Sequence, residues 1–312
     1  MIFLLLTITA PTFFFYKKMI WNVQLLYSYI PCHGIFYKSL YKINMKKIYS
    51  LQNTKIKDLI KIYQKKNYMN VFFVEGIKEF EMAIKGNFLP KKIFICEKIF
   101  KKYNMIQSFH SITFLISMKI FKKLAYRENS GGIIAMFKEK KYINQLKNIK
   151  IYNNNSSLIL ILDGIEKPGN IGAMLRVADV ANIHFIILCN MKTYVYNSNI
   201  IRCSLGSLFT RNIFMEKIES IIYWLKKNKI QIITTGFHKH KKAINLYHTQ
   251  FSHNNIAIVF GSENKGISNI WIEIANKIIT IPMFGNIDSL NVSNAMSIII
   301  YEIIRQRNYA KN

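Results

Sequence analysis

Acidic side chains are scarce in this sequence. Its 312 residues hold 16 Asp and Glu against 44 Lys and Arg, a formal net charge of +28. That imbalance points away from cationic partners and suits a polyanion, because Lys and Arg that neutralise phosphates release counterions without reading sequence. Lys, Ile and Asn dominate the whole chain, as AT-rich coding would produce, so part of the charge belongs to solvated faces. Cysteine is sparse too: Cys32, Cys96, Cys189 and Cys203 are scattered, without a CxxC spacing. Neither a disulfide framework nor a zinc site is indicated, and a reducing cytoplasm fits. Arginine accounts for only six of the basic residues: Arg127, Arg176, Arg202, Arg211, Arg305 and Arg307. Where a Lys-biased chain keeps an Arg, a planar fork of donors is wanted rather than a point charge.

Met1 to Tyr16 is almost wholly apolar before Lys17 and Lys18. It falls short of the roughly 20 residues that span a bilayer, lacks a basic start and is interrupted by Pro11. Residues 1–44 contain no acidic residue, and a different texture begins at Met45. We expect translation to start at Met45, with 1–44 an unassigned extension, over the alternative of an anchor or targeting segment. No stable membrane association is expected.

Hydrophobic residues make up 51% of the chain. That is enough for a sizeable core, and the length suits two domains of about 100–200 residues each. Short apolar runs at 71–74, 92–95, 112–116 and 133–137 predict strands. Helical spacing at 54–66 precedes them, and helices from Glu75 to Lys85, at 97–106 and at 117–125 complete a small β-α-β-α-β-α-β unit, the domain being assigned to 45–137. Residues 138–156 are Lys- and Asn-rich and read as a linker. Beyond them, Leu158 to Leu162 is too apolar for a half-exposed strand, which predicts a parallel sheet covered on both faces. Further strands are expected at 184–189, 212–215, 230–234, 256–260 and 277–281, giving an α/β domain over 157–312. The last helix, near 291–307, has a broad apolar face that needs either the sheet or a second subunit.

Three segments carry candidate chemistry. In the first, Asp163 to Arg176, a buried strand runs through a glycine turn into a helix; Asn170 can both donate and accept, and Arg176 follows six residues on. It is neither a dinucleotide fingerprint nor a phosphate loop. In the second, Ala257 to Ile267, a strand ends in a glycine turn bearing Glu263, where ligands of α/β sheets gather; helix-start charge is the bland alternative. In the third, Ile279 to Ala295, a strand stops at Pro282 and a helix opens at Ser289 or Asn291. Both are good N-caps, and helix starts also offer free N–H groups.

Together these segments resemble the SpoU class (TrmH family) of RNA ribose 2′-O-methyltransferases in the knotted SPOUT superfamily. The matching runs are the Asn-x-Gly loop at Asn170 with Arg176, Phe260-Gly261-Ser262-Glu263-Asn264-Lys265-Gly266, and Ile281-Pro282-Met283 with Ser289-Leu290-Asn291-Val292-Ser293. Ile201 to Phe209 is similar to a further family stretch. Val74-Glu75-Gly76 resembles the start of the small ribosomal-protein-like RNA-binding domain found in the rRNA guanosine methyltransferases of this class. The resemblance implies a trefoil-knotted C-terminal domain, S-adenosyl-L-methionine as methyl donor, an RNA substrate (rRNA favoured over tRNA) and a homodimer whose second subunit completes the site. It makes Asn170, Arg176, Glu263, Ser289 and Asn291 the catalytic candidates, and Thr235, Gly261, Ile281 and Leu290 the cofactor contacts. A guanidinium stays protonated, so Arg176 is expected to orient the hydroxyl or a phosphate rather than take the proton. A non-catalytic RNA-binding protein of the same fold is the rival. His238, His240, His248 and His253 cluster, but with no cysteine or carboxylate close by, a solvated or RNA-facing loop is preferred over a metal site.

Overall fold

The computed structural model describes residues 45–64, 70–126, 130–140, 146–151, 156–236, 242–251, 254–263 and 265–309. The expectations for 1–44, and for Arg127, His238, His240, His253 and Asn264, lie outside the described residues.

The first sheet has five strands: β1 (Lys46–Ile48), β2 (Val71–Glu75), β3 (Pro90–Cys96), β4 (Thr113–Ile116) and β5 (Ile133–Lys138), in the order β1-β4-β3-β5-β2. β5 runs antiparallel to β2 and β3, and the other pairs are parallel. Helices α1 (Thr54–Gln64) and α3 (Met118–Leu124) cover one face through Ile56, Leu59, Ile120 and Phe121. Helix α2 (Ile77–Lys85) packs on the other through Phe80 and Ala83.

Two local expectations are corrected. No α-helix forms at 97–106: the Cys96 carbonyl accepts from the Ile99 and Phe100 N–H groups, the turn buries Phe100, and a 3-10 helix follows at Tyr103–Ile112. β1 was unforeseen, because three residues with only Ile48 buried give no readable alternation.

The second sheet has seven strands, every pair parallel: β6 (Leu158–Asp163), β7 (Phe185–Cys189), β8 (Ile213–Met215), β9 (Gln231–Thr235), β10 (Ala243–Asn245), β11 (Ile256–Gly261) and β12 (Lys277–Thr280). Their order is β10-β12-β9-β11-β6-β7-β8. All residues of β6 and β11 are buried, as expected for central parallel strands. One face packs on α4 (Pro168–Val180) and α8 (Val292–Tyr309), and the other on α6 (Ile218–Lys227) and α7 (Asn269–Ile274); the short α5 (Ser198–Cys203) lies against α4. The three-residue edge strand β10 was not anticipated.

In α8, Met296, Ile299, Ile300 and Ile303 are buried in the core shared with the sheet and α4. This settles most of its apolar face within the chain and leaves Tyr301 48% exposed.

The two sheets share one core. Phe72 of β2 stacks on Tyr196 at 4.3 Å between centroids and 6° between planes, and on Phe209 at 5.6 Å. Phe88 and Phe137 extend the cluster. Gly206 sits at φ +80, where a Cβ would lie 2.7 Å from Met82 Cβ, so the close approach of α2 needs glycine. The Tyr196 hydroxyl donates to the Lys140 carbonyl at 2.8 Å, and the Lys140 ammonium sits over the Phe88 ring. Burial lowers the Lys140 pKa. Among the described residues, no helix is long and apolar enough to cross a membrane.

Candidate active site at the carboxyl edge of the parallel sheet

The parallel register sets the carboxyl ends of β6, β11, β9 and β12 side by side: Gly261 pairs with Asp163, and Ile279 with Thr235. Ligands of such sheets bind beyond that edge. An open cleft lies there, with a cavity volume of about 160 Å³. Thr235, Gly261, Ile281 and Leu290, the four expected cofactor contacts, all line it, as do Glu263 and Ser289. Phe260, Ile279 and Met283 add apolar wall, and Asp288 a second carboxylate.

Gly261 is required by geometry. A Cβ there would lie 2.2 Å from the Gly266 carbonyl oxygen, because the chain folds straight back after β11. That turn is closed by the Gly266 N–H donating to the Ser262 carbonyl at 2.9 Å and the Lys265 N–H donating to Ser262 Oγ at 3.1 Å. Glu263 therefore rides on a tight turn rather than at a helix start, since α7 begins only at Asn269.

Three expected residues from distant parts of the chain meet at the rim. Asn170, in the first turn of α4, donates through Nδ2 to Glu263 Oε1. Its Oδ1 accepts from Asn291 Nδ2 at 3.1 Å. Asn291 also caps α8: its Oδ1 accepts from Ser293 N at 2.9 Å and from Ser293 Oγ at 2.6 Å. The capping and site readings thus hold together, because an amide has separate donor and acceptor ends. Ser289 lies in the loop before the helix rather than at its start.

Arg176 is not brought into this cluster. It is exposed on α4, outside the cleft lining, with no hydrogen-bond or ion-pair partner among the described residues. Arg202 stacks on the Tyr126 ring at 5.2 Å, at the junction of the two sheets. Of the four clustered histidines, His248 is described, in a 3-10 turn at Leu246–His248. No group of three or more potential metal ligands occurs among the described residues.

Sequence reasoning gave no role to Asp163 or Ser268. Asp163 is 3% exposed at the end of β6. It accepts from Asn190 Nδ2 at 2.8 Å, from the Ser268 N–H at 3.2 Å and from the Ser268 hydroxyl. The available signal was a lone carboxylate ending a strand of five apolar residues. Burial, then the charge of Asp163, pushes the Cys189 thiol up and keeps it protonated.

The site is thus a mixed apolar and acidic cleft at the carboxyl edge of a parallel sheet, rimmed by a carboxamide–carboxylate chain, where α/β proteins bind their ligands. Residues 157–301 match the SpoU rRNA Methylase family, and residues 53–135 match the MRM3-like substrate binding domain. The chain is 34% identical over 185 residues to the 23S rRNA (guanosine-2′-O-)-methyltransferase RlmB of Blochmanniella floridana, covering 57% of this chain and 70% of that protein. A solved RNA 2′-O ribose methyltransferase superposes with a TM-score of 0.70 at 28% identity, over 84% of this chain and 99% of that one. An AdoMet-bound rRNA methyltransferase from Sinorhizobium meliloti shares the fold, with a TM-score of 0.73 at 22% identity, over 85% and 99%. The chain belongs to the SpoU family of rRNA methylases, and is an RNA methyltransferase dependent on S-adenosylmethionine.

Proposed function

We propose that this protein methylates a ribose 2′-hydroxyl of ribosomal RNA, guanosine favoured, in the cytoplasm, with residues 157–312 as the catalytic domain and 45–137 as the RNA-binding domain joined by 138–156. The observation that carries this is the Asn291–Asn170–Glu263 chain standing at the mouth of the cleft lined by Thr235, Gly261, Ile281 and Leu290. The residues present fit the donor. Phe260, Ile279, Ile281 and Leu290 offer apolar contact to an adenosyl group, while Glu263 and Asp288 complement its positive charge. When bound, S-adenosylmethionine supplies a methyl group already activated on a sulfonium. The protein's task is alignment and charge placement. Glu263 fixes the Asn170 amide, Asn170 fixes Asn291, and the Ser289 hydroxyl lies in the same cleft to hold the incoming ribose. A carboxylate at this rim favours release of the hydroxyl proton as the bond to oxygen forms.

Arg176 acts from a second copy of the chain, orienting the hydroxyl or an adjacent phosphate. Two observations support this: its exposure away from its own cleft, and the exposed apolar side chains Phe284 and Ile287, at 95% and 76%, in the loop before α8. The C-terminal segment from Ile281 through α8 is read as forming the trefoil knot, and the first sheet as the ribosomal-protein-like unit. Mapping 2′-O-methyl positions on total RNA from cells with and without the protein tests the reading. One ribosomal position should lose its methyl group. A loss confined to tRNA would replace the substrate, and no loss anywhere would remove the activity.

A further inference from the structure

The buried carboxylate of Asp163 has no part in the chemistry described above, yet four donors from two other segments converge on it. Asn190 Nδ2 donates to Oδ1 at 2.8 Å, with the Cys189 thiol 3.6 Å away. Both the N–H and the hydroxyl of Ser268 donate to Oδ2. Ser268 stands at the N-cap of α7, where a serine oxygen ordinarily accepts from its own helix. Here it makes no such bond and gives its proton to Asp163 instead. An ionised carboxylate only accepts, with about four lone-pair sites, so it can satisfy four donors at once.

We propose that Asp163 is a positioning residue, clamping the far end of the Ser262–Ser268 turn so that Glu263 meets Asn170 and Gly266 and Ile267 form one wall of the cleft. The turn leaves the sheet at Gly261, beside Asp163 in the register, and returns to the same carboxylate at Ser268. Its near end is fixed by β11 and its far end by Asp163. An unclamped Ser268 frees the segment that carries Glu263 and lines the cleft. The consequence for cofactor binding rests on the proposed function; the clamp itself does not.

Asp163→Asn keeps the shape but places an N–H against donors. Ser268→Ala removes one donor from a partly exposed site, and Ser268→Thr restores the hydroxyl. Amide exchange by mass spectrometry and S-adenosylmethionine binding by calorimetry are measured on the full chain. In Asp163→Asn, exchange over 262–268 should rise at least tenfold with β6 and β11 unchanged, and the Kd should rise at least tenfold. Ser268→Ala should shift both in the same direction, and Ser268→Thr should bring them back. Exchange over 262–268 that stays at the wild-type rate in Ser268→Ala, or rises equally across β6 and β11, overturns the proposal. If Asp163→Asn does not fold, the Ser268 pair decides it. Wild-type protein that binds no S-adenosylmethionine contradicts the functional reading, while the exchange measurement still judges the clamp.

Discussion

Asn170 lies inside the first turn of α4 and Asn291 caps α8, and their amides meet across a gap of 121 residues. The helix-start character of Asn291 is legible in the sequence, as is the two-sided amide of Asn170; their meeting is not, because nothing in local spacing fixes which carboxyl-edge loops converge. The Asn170→Ala protein should lose roughly 100-fold in kcat, the scale of removing one preorganised donor. Its thermal midpoint should move little, as the residue is only partly buried. Steady-state kinetics beside a melting curve checks both. Arg176→Ala should likewise fold normally, since it is exposed and without partners, but lower kcat/KM on RNA at least tenfold. A wild-type rate would remove Arg176 from the site. Gly261→Ala tests the turn. The added Cβ meets the Gly266 carbonyl at 2.2 Å, so the turn must open, at about 1–3 kcal/mol in stability by denaturant titration. Asp163 shows where sequence reading stops: its partner Ser268 lies 105 residues away, so the acid alone could not disclose its task.

The strands that were readable are those the fold buries on both sides, β6 and β11 above all, because burial forces continuous apolar runs. The three-residue strands β1 and β10 were not, being ordered by their neighbours rather than by their own pattern. Helix α8 combines both cases. Its apolar stripe was legible, but what holds its last turn is polar and distant. Arg307 donates to the Ser156 carbonyl at 2.8 Å and the Asn254 carbonyl at 2.7 Å, at the amino ends of β6 and β11. Gln306 bonds the Thr249 carbonyl and the Phe251 N–H. Arg307→Ala should therefore destabilise the protein by about 2 kcal/mol, on the scale of hydrogen bonds to a charged group. At the same edge, His184 Nδ1 lies 3.2 Å from the Leu158 N–H. Burial, then the charge of Arg307, lowers the His184 pKa. The unfolded chain thus takes up its proton first as pH falls below about 6.5, and stability declines from there down to the folded value. His184→Gln should flatten that stretch of a stability–pH curve.

Across the two sheets, a polar segment at 138–156 reads in the sequence like a tether, yet Phe72, Phe88, Phe137, Tyr196 and Phe209 form one aromatic cluster. The sequence shows those rings as apolar positions on separate elements, and only packing reveals that they share a core. Phe72 is fully buried, so Phe72→Ala should cost about 3–5 kcal/mol and split a single thermal transition into two by calorimetry. With a net charge of +28, RNA affinity should fall linearly in log Kd against log salt, as counterion release requires. The central claim is that the cleft and its Asn291–Asn170–Glu263 rim deliver a methyl group to a ribose oxygen. The most direct test incubates the purified protein with ribosomal RNA and S-adenosylmethionine carrying a labelled methyl group, then digests the RNA to nucleosides for mass spectrometry. A single labelled 2′-O-methylnucleoside is expected, and label on a base, or no label from protein that demonstrably binds the donor, would contradict it.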